Sequence, residues 1–286
     1  MRYLSLTFSL LIGFNLFVWG SVFSAFPDRG LNLYFLDVGQ GDAALARLPG
    51  LSGRGRADIL IDGGPGRQVL ESLGEVLPET DRYIDLVMLS HPQLDHFGGL
   101  IDVLKRYQVG AFIYNGRDGT ASAWNDLKTV LVERNIKTII LKEGDSITYG
   151  GNRLDILSPS PNFLKSDELN DTTLVVKLSS ESSRALFTGD IGFNVEEYLA
   201  RKYDVDADVL KVGHHGSKFS SGSLFLKEAT PLASLISSGA KNTYGHPAPA
   251  AMGRLSSSGS EIYRTDQEGT IHINIRAGQA RIYSLK

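Results

Sequence analysis

From Leu31 onward the chain alternates short apolar runs with breaks rich in Gly and Asp. Leu31–Val38 (LNLYFLDV) places apolar side chains at 31, 33 and 35, the period of a strand, and closes in Asp-Val-Gly. Ala43–Leu48 and Asp58–Asp62 read as further strands, separated by the Gly/Arg loop LSGRGRAD in a hairpin-like pattern. Val69–Leu77 has helical spacing, and Ile84–Ser90 (IDLVMLS) reads as a buried strand. Helices are then predicted over Leu100–Tyr107 and Trp124–Arg134, with strands over Phe112–Tyr114 and Thr138–Leu141. A β-rich run follows at Ile147–Tyr149, Leu154–Leu157, Leu174–Leu178 and Ala185–Thr188. Beyond it, helices at Glu196–Tyr203, Leu224–Glu228 and Ala250–Ser256 alternate with strands at Val209–Val212 and Ser234–Ser237. Ile262–Thr265, Thr270–Ile275 and Ala280–Tyr283 end the chain as strands. The layout predicts an α/β fold of two halves, each a sheet covered by helices, packed sheet against sheet. No linker interrupts residues 31–286, which read as one domain.

The N-terminus follows a different pattern. Leu4–Phe26 carries no charged residue and follows Arg2, and its length suffices to cross ~30 Å of hydrocarbon. Trp19 suits an interfacial position, and Ser21–Phe23 and Ser24–Phe26 match a small-x-small cleavage site poorly. Residues 1–27 are therefore expected to be an uncleaved membrane anchor, the alternatives being a cleaved signal segment or a buried core helix. Arg2 on the inner side would put the remaining domain outside the cytoplasm, anchored or, after cleavage, secreted. Pro27–Gly30 marks the break before the domain.

Composition adds little to the fold but limits the chemistry. Across 286 residues, 42% hydrophobic and 21% charged content is that of a globular protein. A net charge of −3 gives no global attraction to nucleic acid, so such binding needs a local basic patch. Cysteine is absent, which excludes disulfides and cysteine–zinc knuckles and leaves His, Asp, Glu, Asn and Gln as metal ligands.

Those residue types gather at strand ends. Ser90–Leu100 (SHPQLDHFGGL) follows a buried strand and holds His91, Asp95 and His96 within six residues, before Gly98 and Gly99 turn into a helix. Alone, it fits a ligand loop or a helix start capped by Asp95 equally well. Asp62 ends the run ILID, Asp190 ends ALFTGD, and His214 and His215 end VLKVGHH. Each of these fits an ordinary turn, but four strand ends tipped with hard ligands fit a dinuclear hydrolytic site.

The chain from Leu33 to its C-terminus resembles the metallo-β-lactamase superfamily, specifically the soluble hydrolase domain of the ComEC type of DNA-uptake competence protein. The matching stretches are FLDVGQGDA (35–43), LIDGG (60–64), LSHPQLDHFGGL (89–100), NDTTLVVKL (170–178), LFTGDI (186–191), DVLKVGHHGSKFSS (208–221), NTYGHP (242–247) and YRTDQEGTI (263–271). The resemblance implies an αββα sandwich of two mixed sheets flanked by helices, with a metal site at the open edge between them. Carried over by position, His91, Gln93, Asp95 and His96 form the ligand loop, Asp190 is the bridging carboxylate, and His214 or His215 closes the second site. Asp62 takes an orienting role. Asp37, Gln40 and Asp42 fall in a loop near the site, and His246 faces the substrate as a donor or acid, or is merely a turn residue before Pro247. Gln93 stands where relatives carry His or Asp, and Asn170 where the superfamily has a histidine. The first site is then His91 with weak neutral donors and one of His214 and His215, and the second is Asp95, His96 and Asp190. One or two divalent ions are implied, with Mn²⁺ or Mg²⁺ favoured over tightly held Zn²⁺.

These residues suggest a metal-dependent phosphodiesterase or nuclease acting on DNA or another phosphodiester. Asp95 or Asp190 would orient the attacking hydroxide, and His246 or a nearby lysine would assist the leaving group. Candidate phosphate contacts are Arg54, Arg56, Lys211, Ser217, Lys218 and Lys241. The alternatives are an extracytoplasmic hydrolase of a small ester, phosphoester or lactam, and a metal-depleted binding module in which Gln93 marks decay. With one hydrophobic segment at most, the chain is not expected to form a DNA channel itself. A channel partner would be a separate protein, which the sequence does not name, and the oligomeric state is equally unspecified.

Overall fold

The computed structural model describes residues 11–17, 19, 30–50, 55–181, 183–276 and 278–286. Eight strands form the first sheet: β1 (Leu31–Phe35), β2 (Ala44–Leu48), β3 (Ala57–Ile61), β4 (Tyr83–Met88), β5 (Gln108–Tyr114), β6 (Thr138–Ile140), β14 (Thr270–Arg276) and β15 (Gln279–Leu285). The second sheet holds β7 (Ser146–Tyr149), β8 (Asn152–Ser158), β9 (Val175–Ser179), β10 (Arg184–Phe187), β11 (Val209–Lys211), β12 (Ala233–Ile236) and β13 (Glu261–Arg264). The orders are β15-β14-β1-β2-β3-β4-β5-β6 and β13-β12-β11-β10-β9-β8-β7. Both sheets are mixed. Pairing is parallel from β3 to β6 and from β10 to β13, and antiparallel elsewhere.

Alternation along the strands builds three apolar layers. Leu31, Leu33 and Phe35 of β1 and Ala44, Ala46 and Leu48 of β2 point into the space between the sheets, where they share a core with Val176, Leu178, Ala185 and Phe187. The Phe35 and Phe187 rings stack across that space with centroids 6.0 Å apart. The intervening Leu45, Leu60, Ile84 and Val87 face outward under α1 (Gln68–Val76), the one-turn α2 (Leu94–Phe97), α3 (Leu100–Arg106) and α4 (Ala123–Glu133). Leu186, Leu210 and Ile236 face α5 (Phe193–Lys202), α6 (Ser223–Ala229) and α7 (Pro249–Ser257), while α8 (Thr265–Glu268) joins β13 to β14. Burial on both faces explains why these strands read as nearly continuous apolar runs. The result is the expected αββα sandwich. The last two strands return to the first sheet beside β1, a pairing that strand periodicity alone does not encode.

Two expectations are corrected here. Among the described residues no helix is long and apolar enough to cross a membrane. The expected anchor is therefore not supported, nor is the location derived from it. Only 11–17 and 19 of that segment are described, as helix, and the rest lies outside the described residues. Arg56 precedes β3, a full strand length from the Asp62 end, and pairs there with Asp81 and Asp58. It is no phosphate contact for a site at the other end of that strand, and Arg54 lies outside the described residues.

Candidate metal centre

The C-terminal ends of the parallel strands lie at one edge of each sheet, the usual place for a site in such sheets. Asp62 follows β3, Ser90 and His91 follow β4, Asp190 follows β10, and His214 and His215 follow β11. The loops of the first sheet interlock through their backbones. Gly63 N–H donates to His96 O (2.7 Å), Gly64 N–H to Asp42 O (2.8 Å) and Asp42 N–H to Asp95 O (3.2 Å). Glycine is needed where they touch: a Cβ on Gly99 would lie 2.1 Å from Gly63 O. Across the cleft, His214 and His215 both take left-handed backbone angles, with φ of 49° and 54°. Such angles are strained for non-glycine residues and cost of order 1–3 kcal/mol each. They turn two adjacent imidazoles toward the same edge.

Four side chains converge. His96 Nε2 and His215 Nε2 each lie 3.4 Å from Asp190 Oδ2, and His215 Nε2 lies 3.3 Å from Asp95 Oδ2. The ligand atoms of Asp95, His96, Asp190 and His215 all fall within 4.8 Å of one another. Each histidine is held from behind. His96 Nδ1 bonds Asp62 Oδ2 at 2.9 Å, and Asp62 also accepts the N–H and O–H of Ser90, both at 2.7 Å. His215 Nδ1 meets Asp42 Oδ1 at 3.1 Å and Ser237 O at 3.0 Å, while Lys211 Nζ braces Asp42 Oδ2 at 2.7 Å. This carboxylate–histidine arrangement fixes the tautomer that leaves Nε2 free for a metal.

His91 completes the inner face. The single Ser90 hydroxyl proton goes to the Asp62 carboxylate, so Ser90 Oγ accepts from His91 Nδ1–H at 3.0 Å and the His91 Nε2 lone pair is free. The buried Nε2 atoms of His91, His96 and His215, together with Asp190 Oδ1, have no hydrogen-bond partner among the described residues. Buried polar atoms left unmatched in such a cluster are those a cation would take. The donor set fits a divalent ion.

The electrostatics agree. Burial opposes a charge on His96, but Asp190 and Asp62 outweigh it and raise its pKa well above 6.5. Burial likewise opposes a charge on His215, outweighed by Asp190 and Asp42. Asp190 stays ionised despite its burial because His215 and His96 face it, and Asp95, likewise opposed by burial, is drawn down to about 2 chiefly by His215 facing it at 3.3 Å. Burial and the neighbouring His96 push His91 down to about 3, so it is neutral. Imidazolium protons thus offset the carboxylates where a metal ion would do the same.

The remaining expected residues divide. His214 Nε2 is 3.8 Å from Asp190 Oδ2, on the outer side of that carboxylate, so His215 joins the tight cluster and His214 flanks it. Gln93 and Asn170 pair with each other, Gln93 Nε2 donating to Asn170 Oδ1 at 2.6 Å, and Asn170 Nδ2 lies 3.4 Å from His214 Nδ1. They form an amide bridge behind His214 rather than two free donors. Asp37 Oδ1 accepts Gly39 N–H, and Gln40 Oε1 accepts Gly239 N–H, so both brace loops. His246 stands at the mouth, 5.5 Å ring to ring from His214, its pKa lowered by burial and by His214 and His215.

Two phosphate-contact expectations fail at the centre. Lys211 is buried in its ion pair with Asp42, and Ser217 is buried with its Oγ accepting Phe219 N–H. Lys218 and Lys241 are exposed on the site loops. Sequence reading missed Ser90 and Lys211 as supports and undervalued Asp42. Their one signal is a polar residue beside an apolar strand end.

The model of the family described as "Metallo-beta-lactamase superfamily" matches residues 37–240. ComE operon protein 3 of Bacillus subtilis is 30% identical over 269 residues, covering 87% of this chain and 34% of that protein. Recombination protein 2 of Haemophilus influenzae is 31% identical over 245 residues, covering 84% of this chain and 28% of that protein. The chain spans about a third of the length of the curated relatives it matches. Among solved structures, the metallo-beta-lactamase fold protein YhfI from Bacillus subtilis superposes with a TM-score of 0.53 at 14% identity, covering 89% of this chain and all of that one.

Proposed function

Because the chain belongs to the metallo-β-lactamase superfamily, we propose that it is a metal-dependent hydrolase whose substrate is a phosphodiester of nucleic acid. The observation that carries this reading is the convergence of His96 Nε2, His215 Nε2, Asp190 and Asp95 within 4.8 Å, with a separate aspartate behind each histidine. Asp95, His96, Asp190 and His215 would hold one divalent ion, and His91 and His214 with Asp190 a second. Such an ion supplies Lewis acidity, lowering the pKa of water and offsetting charge on phosphoryl oxygens. Of the four ligands of the first ion Asp95 is the one open to solvent, its side chain 33% exposed, and it stays ionised, so it would orient the attacking water by accepting a hydrogen bond from it. Asp190 is buried at the centre and holds its charge between the histidines. His246, neutral because its pKa is lowered, offers a hydrogen bond to substrate at the mouth rather than a standing acid.

The relative named as a recombination protein supports nucleic acid as the substrate. The test is hydrolysis of bis-p-nitrophenyl phosphate and of DNA by the metal-loaded chain, with Asp190→Asn as control. The reading predicts turnover by wild type and none by the variant. Full metal occupancy without turnover of either substrate would refute it.

A further inference from the structure

We propose that Tyr244, stacked on His246 at the mouth of the centre, is a platform for an unpaired nucleobase, so that the preferred substrate is single-stranded nucleic acid rather than duplex. This rests on the phosphodiesterase reading and narrows it. Tyr244 is 71% exposed, yet its ring lies near-parallel to that of His246, with centroids 6.0 Å apart and planes at 25°. His246 in turn meets His214 edge-on at 5.5 Å and His215 at 6.3 Å. A line of rings therefore leads from solvent to the histidines that face Asp190.

Tyr244 is positioned by its turn, not by the core. The Asn242 amide donates to Gly239 O at 2.7 Å and to His246 O at 2.6 Å, while its Oδ1 accepts His246 N–H at 3.0 Å. Gly245 closes the turn at φ +72°. A large aromatic side chain held outward on a braced turn contributes little to the fold and leaves one π-face open.

The adjoining loop, whose Gly216 O accepts Ala248 N–H at 2.8 Å, repeats the pattern. Phe219 is 61% exposed on the loop that delivers His214 and His215, with Lys218 Nζ 4.9 Å from its ring centroid. The Arg254 guanidinium anchors that loop by donating to the carbonyls of Lys218, Ser220 and Ser221. Each loop thus carries an exposed aromatic residue with an exposed lysine, Lys218 or Lys241, near it in sequence. Rings for bases and cations for phosphates are how single strands are held. Paired bases in a duplex offer no free face, and duplex binding depends instead on neutralising many phosphates. A chain of net charge −3 with two lysines on these loops is poorly equipped for that.

Loss of one stacked base weakens single-strand binding about 5- to 150-fold. The test uses the full chain loaded with Mn²⁺, and reads both anisotropy and turnover. Its substrates are single-stranded DNA, the same strand carrying abasic sites, and a duplex. In wild type, KM is expected about tenfold lower for the base-bearing than for the abasic strand. That ratio should collapse toward one in Tyr244→Ala and be restored in Tyr244→Phe, with kcat little changed. A duplex preference, or an unchanged ratio in Tyr244→Ala, overturns the platform while turnover upholds the phosphodiesterase reading. Base-dependent binding lost in Tyr244→Ala without any turnover upholds the platform and refutes that reading. Absence of both binding and turnover overturns the two together.

Discussion

At the residue scale the centre depends on groups that would never touch an ion. Asp62 and Asp42 stand behind His96 and His215, and Ser90 and Lys211 stand behind the aspartates. Removing such a support typically costs 10–100-fold in metal affinity or activity. Asp42→Asn and Asp62→Asn are therefore expected to weaken Mn²⁺ binding by about that factor in a chelator-competition titration, with the circular dichroism of the fold retained. Unchanged affinity would show that the histidines hold their tautomers without them. Lys211→Met breaks the same buried pair as Asp42→Asn from its other side, leaving Asp42 as a buried charge short of a partner. Denaturant unfolding of the metal-free variant should show a stability loss of about 3–5 kcal/mol. The ligand loop itself is legible in sequence because His91, Asp95 and His96 lie close together. The choice between His214 and His215 is not. Adjacent residues on left-handed backbone point where the tertiary structure sends them, and the partners that reveal the roles of Asp42 and Ser90, namely His215 across the cleft and Asp62 on another strand end, lie far along the chain.

At the element scale, strands buried on both faces carry the molecule, and the short loops at their C-terminal ends carry the chemistry. Phe187→Ala removes a ring from the layer between the sheets, next to Phe35, and should cost about 3–5 kcal/mol in unfolding free energy. Gly99→Ala acts on the loops instead. Its Cβ would lie 2.1 Å from Gly63 O, forcing apart the segments that carry Asp62 and His96. Metal affinity in the folded fraction should then fall along with stability, which thermal melts with and without Mn²⁺ would show. Long apolar runs such as Ile84–Ser90 announced their strands because burial on both sides leaves few polar positions. The one-turn helices α2 and α8 escaped notice, being too short to display a helical period. The return of β14 and β15 to the first sheet was also hidden, because alternation reveals a strand but not its neighbour.

At the scale of the whole molecule, metal and protons compete for the same buried cluster. In the metal-free chain His96 and His215 have raised pKa values, so their stabilising charge is fully present below 6.5 and is lost as pH rises through those higher values. Asp190 and Asp95 have lowered values, so their contribution is present above 3.8 and is lost as pH falls through the depressed ones. Metal-free stability should therefore be greatest between those limits and decline on the alkaline side, whereas the metal-loaded chain should not show that alkaline decline. Differential scanning calorimetry across pH, with and without Mn²⁺, checks this. A metal-free chain that gained stability toward alkaline pH would contradict the assignment of charges. The most direct test of the centre is the anomalous diffraction of crystals grown with Mn²⁺. A peak about 2.0–2.2 Å from His96 Nε2, His215 Nε2 and the carboxylates of Asp190 and Asp95 is the predicted result. A fully loaded crystal whose anomalous density lies elsewhere, leaving these four side chains unligated, would contradict it.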